Sequence, residues 1–153
     1  MFLFLDIDGV MVPAKGWKAP VLLNDGFPAF SDKATLALKS LMTDNTTIVL
    51  TTSHRANYTL KQWIDIFKNR NIDIERLVSL DKNINNLSRK AEIMNWITLK
   101  SLERNFIIID DDKSLNDLPP DLKKYLVLTS ATVGLTHGDA ERAKAIKNEL
   151  ALT

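Results

Sequence analysis

Asp6 and Asp8 stand one residue apart, directly behind the apolar run FLFL, and Gly9 follows at once. Carboxylates this close repel each other and sit poorly in a core. A second acidic group, Asp110, Asp111 and Asp112, follows the apolar run FIII. A third polar group, Thr51, Thr52, Ser53, His54 and Arg55, follows IVL. Carboxylate oxygens from Asp6, Asp8 and the 110–112 group can share a hard divalent cation. Magnesium fits, since it keeps several waters and commonly takes a substrate phosphate oxygen. Such a cation offsets the repulsion and lets an anionic phosphate approach an anionic nucleophile. One aspartate can then attack phosphorus. A second can protonate the leaving oxygen and later deprotonate water. The hydroxyl of Ser53 or Thr52, with a lysine, can bind the phosphoryl oxygens.

These groups must be carried to one place, and the apolar patterning says how. The run at 2–6 suits a strand buried on both faces. Residues 46–52 are β-branched, 76–80 form a short strand, and 105–110 and 125–129 read as two more. Ser31 is a candidate cap for a helix over 32–43, and Ser88 for one over 89–102. A helix over 55–69 would turn Leu60, Trp63, Ile64 and Phe67 inward, and Trp96 reads as core in the same way. Pro119 and Pro120 open a short helical piece, and Asp139 is the expected cap of the last helix. Between 10 and 30, five Pro and Gly residues imply loop, with room for a small hairpin. Strands alternating with helices predict an α/β, Rossmann-like open parallel sheet of about five strands, with helices on both faces. Ligands of such sheets bind beyond the carboxyl ends of the strands. That is where all three polar groups fall.

The chain has 153 residues and a net charge of +1, 45% of it hydrophobic and 25% charged. One domain over residues 1–153 is expected, with no global field to recruit nucleic acid or membrane. The absence of cysteine excludes disulfides, zinc-thiolate sites and thiol nucleophiles. The opening apolar run is too short for a signal peptide and is broken by Asp6. No stretch is long enough to span a bilayer, so a cytoplasmic location is the default expectation.

The motifs together resemble those of the haloacid dehalogenase-like (HAD) superfamily of phosphohydrolases. DIDGV resembles its first motif, IVLTTS its second, Lys90 in SRKAEIMNWI its third and FIIIDDD its fourth. The resemblance runs over nearly the whole chain. It implies Asp6 as nucleophile and Asp8 as acid and base, with the Asp8 backbone carbonyl a metal ligand. It implies Ser53 as the phosphate-binding hydroxyl, because SHR resembles the Ser-x-Arg of polynucleotide phosphatases, although Thr51 and Thr52 leave the register open. It implies Lys90 as the neutralising cation and Asp111, with Asp110, as the acidic ligands of Mg2+. Asp112 is one acid more than the motif needs. Thr52, Arg55 and Gly9 are the candidate substrate contacts.

The resemblance also bears on substrate. Members often gate the site with a cap domain, and the loop lengths here leave no room for one. An open site suits a terminal phosphate on a large molecule, such as a nucleic-acid end or a phosphoprotein, and the motif pattern resembles capless members found in nucleic-acid repair proteins. A small-metabolite or nucleotide phosphatase of the same superfamily is the alternative. A receiver-like phosphoacceptor or an inactive phosphate-binding module is the alternative of another class, although the motif order is the phosphatase order. Arg55 reads equally as a phosphate clamp and as a solvated helix-start arginine. His54 reads first as a surface histidine and second as a group tuning leaving-group protonation. Trp17 reads first as loop packing and second as a platform for a nucleobase.

Overall fold

The structure, a computed structural model, describes residues 1–14 and 18–152. Five strands form one parallel sheet: β1 (Phe2–Leu5), β2 (Thr47–Leu50), β3 (Arg76–Ser79), β4 (Phe106–Asp110) and β5 (Leu126–Leu128), in the order β3-β2-β1-β4-β5. The helices are α1 (Asp32–Leu41), α2 (Leu60–Lys68), α3 (Arg89–Leu99), the short α4 (Pro120–Lys123) and α5 (His137–Leu152). This is the α/β, Rossmann-like architecture that the alternation predicts, with no separate cap domain.

Because strand side chains alternate, the sheet feeds two cores. Leu3, Leu5, Ile48 and Leu50 join Leu38 of α1, Trp63 and Phe67 of α2 and Ala143 of α5 on one face. Phe4, Val49 and Ile108 join Ile93 and Trp96 of α3 on the other. Edge-to-face rings, Phe4 on Trp96 and on Phe106, tie α3 to the sheet. Both faces of β1 and β4 are buried, which explains their unbroken apolar runs.

The register matters most for the site. Leu5 pairs with Leu50 on one side and Ile109 on the other. The residues one step on, Asp6, Thr51 and Asp110, therefore lie level at the carboxyl end. Backbone bonds from Asp6 N to Ile109 O and from Thr51 N to Leu5 O hold them there. The sequential strands β1, β2 and β3 run out to one edge, and the chain then returns to β4 on the far side of β1. The order thus switches beside β1, where ligands bind in such sheets.

Two helix starts differ from expectation. The stretch 55–69 is not one helix. Residues Ser53–Asn57 make a 3-10 turn, Tyr58 is extended, and α2 starts afresh behind Thr59. Thr59 and Gln62 form a reciprocal capping box, which favours that new start. The restart shifts the helical phase, so Leu60 is exposed while Trp63 and Phe67 are buried. At the last helix Thr136, not Asp139, is the cap. Thr136 Oγ1 accepts from Asp139 N, and Asp139 Oδ2 accepts from Thr136 N. Ser31 and Ser88 cap α1 and α3 as expected. The 10–30 loop holds a small hairpin-like pairing of Leu22 with Pro28. Trp17 lies outside the described residues.

Candidate active site

Asp6, Asp110 and Asp111 bring carboxylate oxygens within 4.8 Å of one another. Asp6 and Asp110 come from adjacent strand ends. Asp111 reaches the group through a gap that Gly9 leaves. A Cβ on Gly9 would lie 2.1 Å from Asp111 Oδ2, and Gly9 has φ +79°. Both requirements select glycine. The Gly9 backbone is itself engaged, its N–H bonding Val12 O and its carbonyl accepting from Thr129 Oγ1. Gly9, expected as a substrate contact, also leaves the space that Asp111 occupies. Asp112 stands apart. Its Oδ1 accepts from Ser114 N and caps the next 3-10 turn, so the pair in the cluster is Asp110 and Asp111.

Among the described residues, the cation paired with these acids is Arg89. Its Nη1 is 2.6 Å from Asp110 Oδ2 and 3.5 Å from Asp6 Oδ2. It also donates to Thr51 Oγ1, which in turn donates to Asp110 Oδ2. Lys90, expected in this role, is half-buried, and its backbone N–H bonds Ser114 Oγ. Adjacent helical residues point about 100° apart, and among the described residues it is Arg89 that pairs with the acids. Sequence reasoning missed Arg89. The signal was two cations in a row behind the cap Ser88.

The charge does not balance. Among the described residues, three clustered carboxylates share one paired guanidinium. Burial, with Asp110 beside it, pushes the Asp6 carboxyl up to about 9, although Arg89 pulls the other way. Burial also raises Asp110, again against Arg89. A cluster that resists ionisation to this degree is one that a further cation would stabilise. Its donors are all carboxylate oxygens, the set that suits Mg2+.

The hydroxyls divide the work. Thr51 is fully buried and turned into the acids. Thr52 is also buried, and its Oγ1 accepts from His54 N at the start of the 3-10 turn. Ser53 is exposed on the rim. Arg55 is not on the rim. It is buried, and its donors go to Leu80 O, Thr51 O, Thr52 O, Asp81 O and Glu92 Oε2. All five guanidinium N–H groups are thereby engaged, leaving none for a phosphate clamp. Burial of a saturated guanidinium makes Arg55 an anchor for the turn.

Asp8 faces outward from the cluster. Its side chain is 57% exposed, and Oδ2 lies 2.7 Å from His54 Nε2. Asp8 and Gly9 also line one end of a cleft of about 470 Å³, walled mainly by apolar residues such as Val12, Pro13, Pro20 and Val21, with Lys18 at its margin. Chemically, the arrangement offers a buried carboxylate beside a cation, and a solvent-facing carboxyl two residues on. These are the parts needed for attack on phosphorus and for proton transfer to a leaving group.

A model of the family described as "HAD domain in Swiss Army Knife RNA repair proteins" matches residues 2–140. Comparisons with curated proteins and with solved structures return no match.

Proposed function

Because the chain belongs to the family of HAD domains in Swiss Army Knife RNA repair proteins, we propose that it is a Mg2+-dependent phosphomonoester hydrolase acting on phosphorylated nucleic-acid ends. Membership of the family supports a HAD-type phosphatase. The observation that carries the finer reading is the register that levels Asp6 with Asp110 and leaves Asp111 room beside Gly9.

In this reading Asp6 attacks phosphorus. A bond forms between its carboxylate oxygen and phosphorus as the bond to the leaving oxygen breaks. Asp8 gives that oxygen its proton. Asp8 then takes a proton from water as the water oxygen bonds phosphorus and Asp6 is released. Arg89 holds Asp110 and balances charge beside Asp6. Ser53 and Thr52 remain the candidates for hydroxyl contact with the phosphoryl group. Asp6, Asp110 and Asp111 would hold Mg2+, with the Asp8 carbonyl as the further ligand implied by the superfamily. When bound, the ion supplies charge neutralisation for carboxylates and phosphate.

Substrate follows from access. Asp8 is exposed, no cap covers it, and the cleft beside it lies within the size range of small-ligand sites. Its apolar walls suit the base and sugar of a terminal nucleotide. An RNA-repair context for the family supports the same class. The test is phosphate release from 3′- and 5′-phosphorylated oligonucleotides against nucleoside monophosphates, with Mg2+ and with EDTA. Preference for an oligonucleotide end, falling as salt rises and lost in EDTA, is the expected result. A salt-insensitive preference for mononucleotides would end the nucleic-acid reading. Full turnover in EDTA would end the metal reading.

A further inference from the structure

We propose that His54 is the positioning residue for proton transfer: it holds one oxygen of Asp8 and leaves the other to face the leaving group. This rests on the reading of Asp8 as acid and base given above. Asp8 is an exposed carboxylate, and an exposed carboxylate on its own rotates freely. Among the described residues its side chain has one polar partner, Nε2 of His54. A carboxyl oxygen accepts a hydrogen bond whether the group is ionised or carries its proton on the other oxygen. A donating Nε2–H therefore fits Oδ2 in both states. The proton moves at Oδ1, going to the leaving oxygen in the first step and coming from water in the second.

The histidine is itself held, which a surface histidine would not require. Its backbone N–H bonds Thr52 Oγ1. The turn that carries it is fastened by the buried Arg55, which also binds the Leu80 and Asp81 carbonyls and Glu92. On the other side its ring meets Phe27 edge to face, with centroids 5.9 Å apart and planes at 89°. Phe27 is buried and packs on Tyr58 and Trp63. Asp8 and His54 are 46 residues apart in sequence, and two separate packing systems deliver them to one hydrogen bond. Of the two, Asp8 also lines the cleft.

The experiment uses single-turnover release of two leaving groups: p-nitrophenolate, which needs no proton, and the alkyl oxygen of a phosphorylated oligonucleotide end, which does. His54→Leu is expected to slow release of the alkyl group by about 10- to 100-fold, the worth of one hydrogen bond to a charged group. Release of nitrophenolate is expected to slow much less. His54→Gln, which keeps a donor near the Nε2 position, is expected to recover most of the loss. In the Asp8→Asn background His54→Leu is expected to add little, since the two act as a unit. Equal slowing of both leaving groups would reduce His54 to a structural role and overturn the proposal. So would additive losses in the double variant, or no loss in His54→Leu. Failure of the wild type to release either group would overturn the phosphatase reading instead, and the two failures are distinguishable.

Discussion

Arg89 places Nη1 2.6 Å from Oδ2 of Asp110, a carboxylate with no exposed surface, and thereby becomes the counter-charge of the acid cluster. Removing one partner of such a pair leaves the other buried and uncompensated, at a cost of about 3–5 kcal/mol. Arg89→Ala is therefore expected to lower the denaturation midpoint sharply in EDTA, and Mg2+ to recover part of the loss. Lys90→Ala is expected to cost much less. Chemical denaturation of both variants, with and without Mg2+, checks this. Equal losses would return Lys90 to the role that Arg89 fills here.

Gly9 and Asp111 compete for one space. Gly9→Ala would set a methyl group 2.1 Å from Asp111 Oδ2 on a backbone at φ +79°. The backbone strain alone is about 1–3 kcal/mol. The further expectation is a displaced Asp111, seen as a higher Mg2+ concentration for half-maximal activity. A variant with unchanged Mg2+ dependence would separate Asp111 from the metal.

Arg55 is expected to report on stability. Arg55→Ala leaves Glu92 and the carbonyls of Thr51, Thr52, Leu80 and Asp81 without their donor. A loss of about 3–5 kcal/mol is expected. At a temperature where the variant is folded, no selective rise in KM should appear. A large KM rise in a variant of unchanged stability would restore Arg55 as a phosphate clamp.

The loop that carries Phe27 is pinned by Asp25 on Arg70, with Arg70 Nη1 2.6 Å from Asp25 Oδ2. The hydrogen bond from Arg70 holds the Asp25 carboxyl well below its usual range. At acid pH the unfolded chain thus binds a proton that the folded one resists. Stability rises with pH over that window. The contribution is present above about pH 4 and is lost as pH falls below it. Melting temperatures between about pH 5 and pH 2 should fall more steeply for the wild type than for Asp25→Asn. Parallel curves would contradict the coupling.

The sheet was legible because each strand announces itself as an apolar or β-branched run with a polar end. The positions of Asp6, Thr51 and Asp110 followed from where those runs stop. What sequence left open was the register within Thr51-Thr52-Ser53 and Asp110-Asp111-Asp112, and at the start of α3 it took Lys90 and passed over its neighbour Arg89. Within such a run, composition is constant and only backbone direction decides which side chain faces the site. Register sets Thr51 level with Asp6, helix phase selects Arg89, and a capping bond takes Asp112 out of the cluster. The burial of Arg55 was illegible for a similar reason. Its partners are mainly backbone carbonyls, and carbonyls carry no sequence signal. His54 and Asp8 meet only through tertiary packing around Phe27, which no local pattern encodes.

The most direct test of the account is where the phosphoryl group goes. An acid quench of Asp8→Asn during turnover of an aryl phosphate with Mg2+, followed by peptide mass analysis, would trap the acyl phosphate because its breakdown lacks the base. The account predicts one added phosphoryl group on the peptide containing Asp6, and none in the Asp6→Asn protein. Continued phosphate release by Asp6→Asn, or a phosphoryl group on another residue, would contradict it.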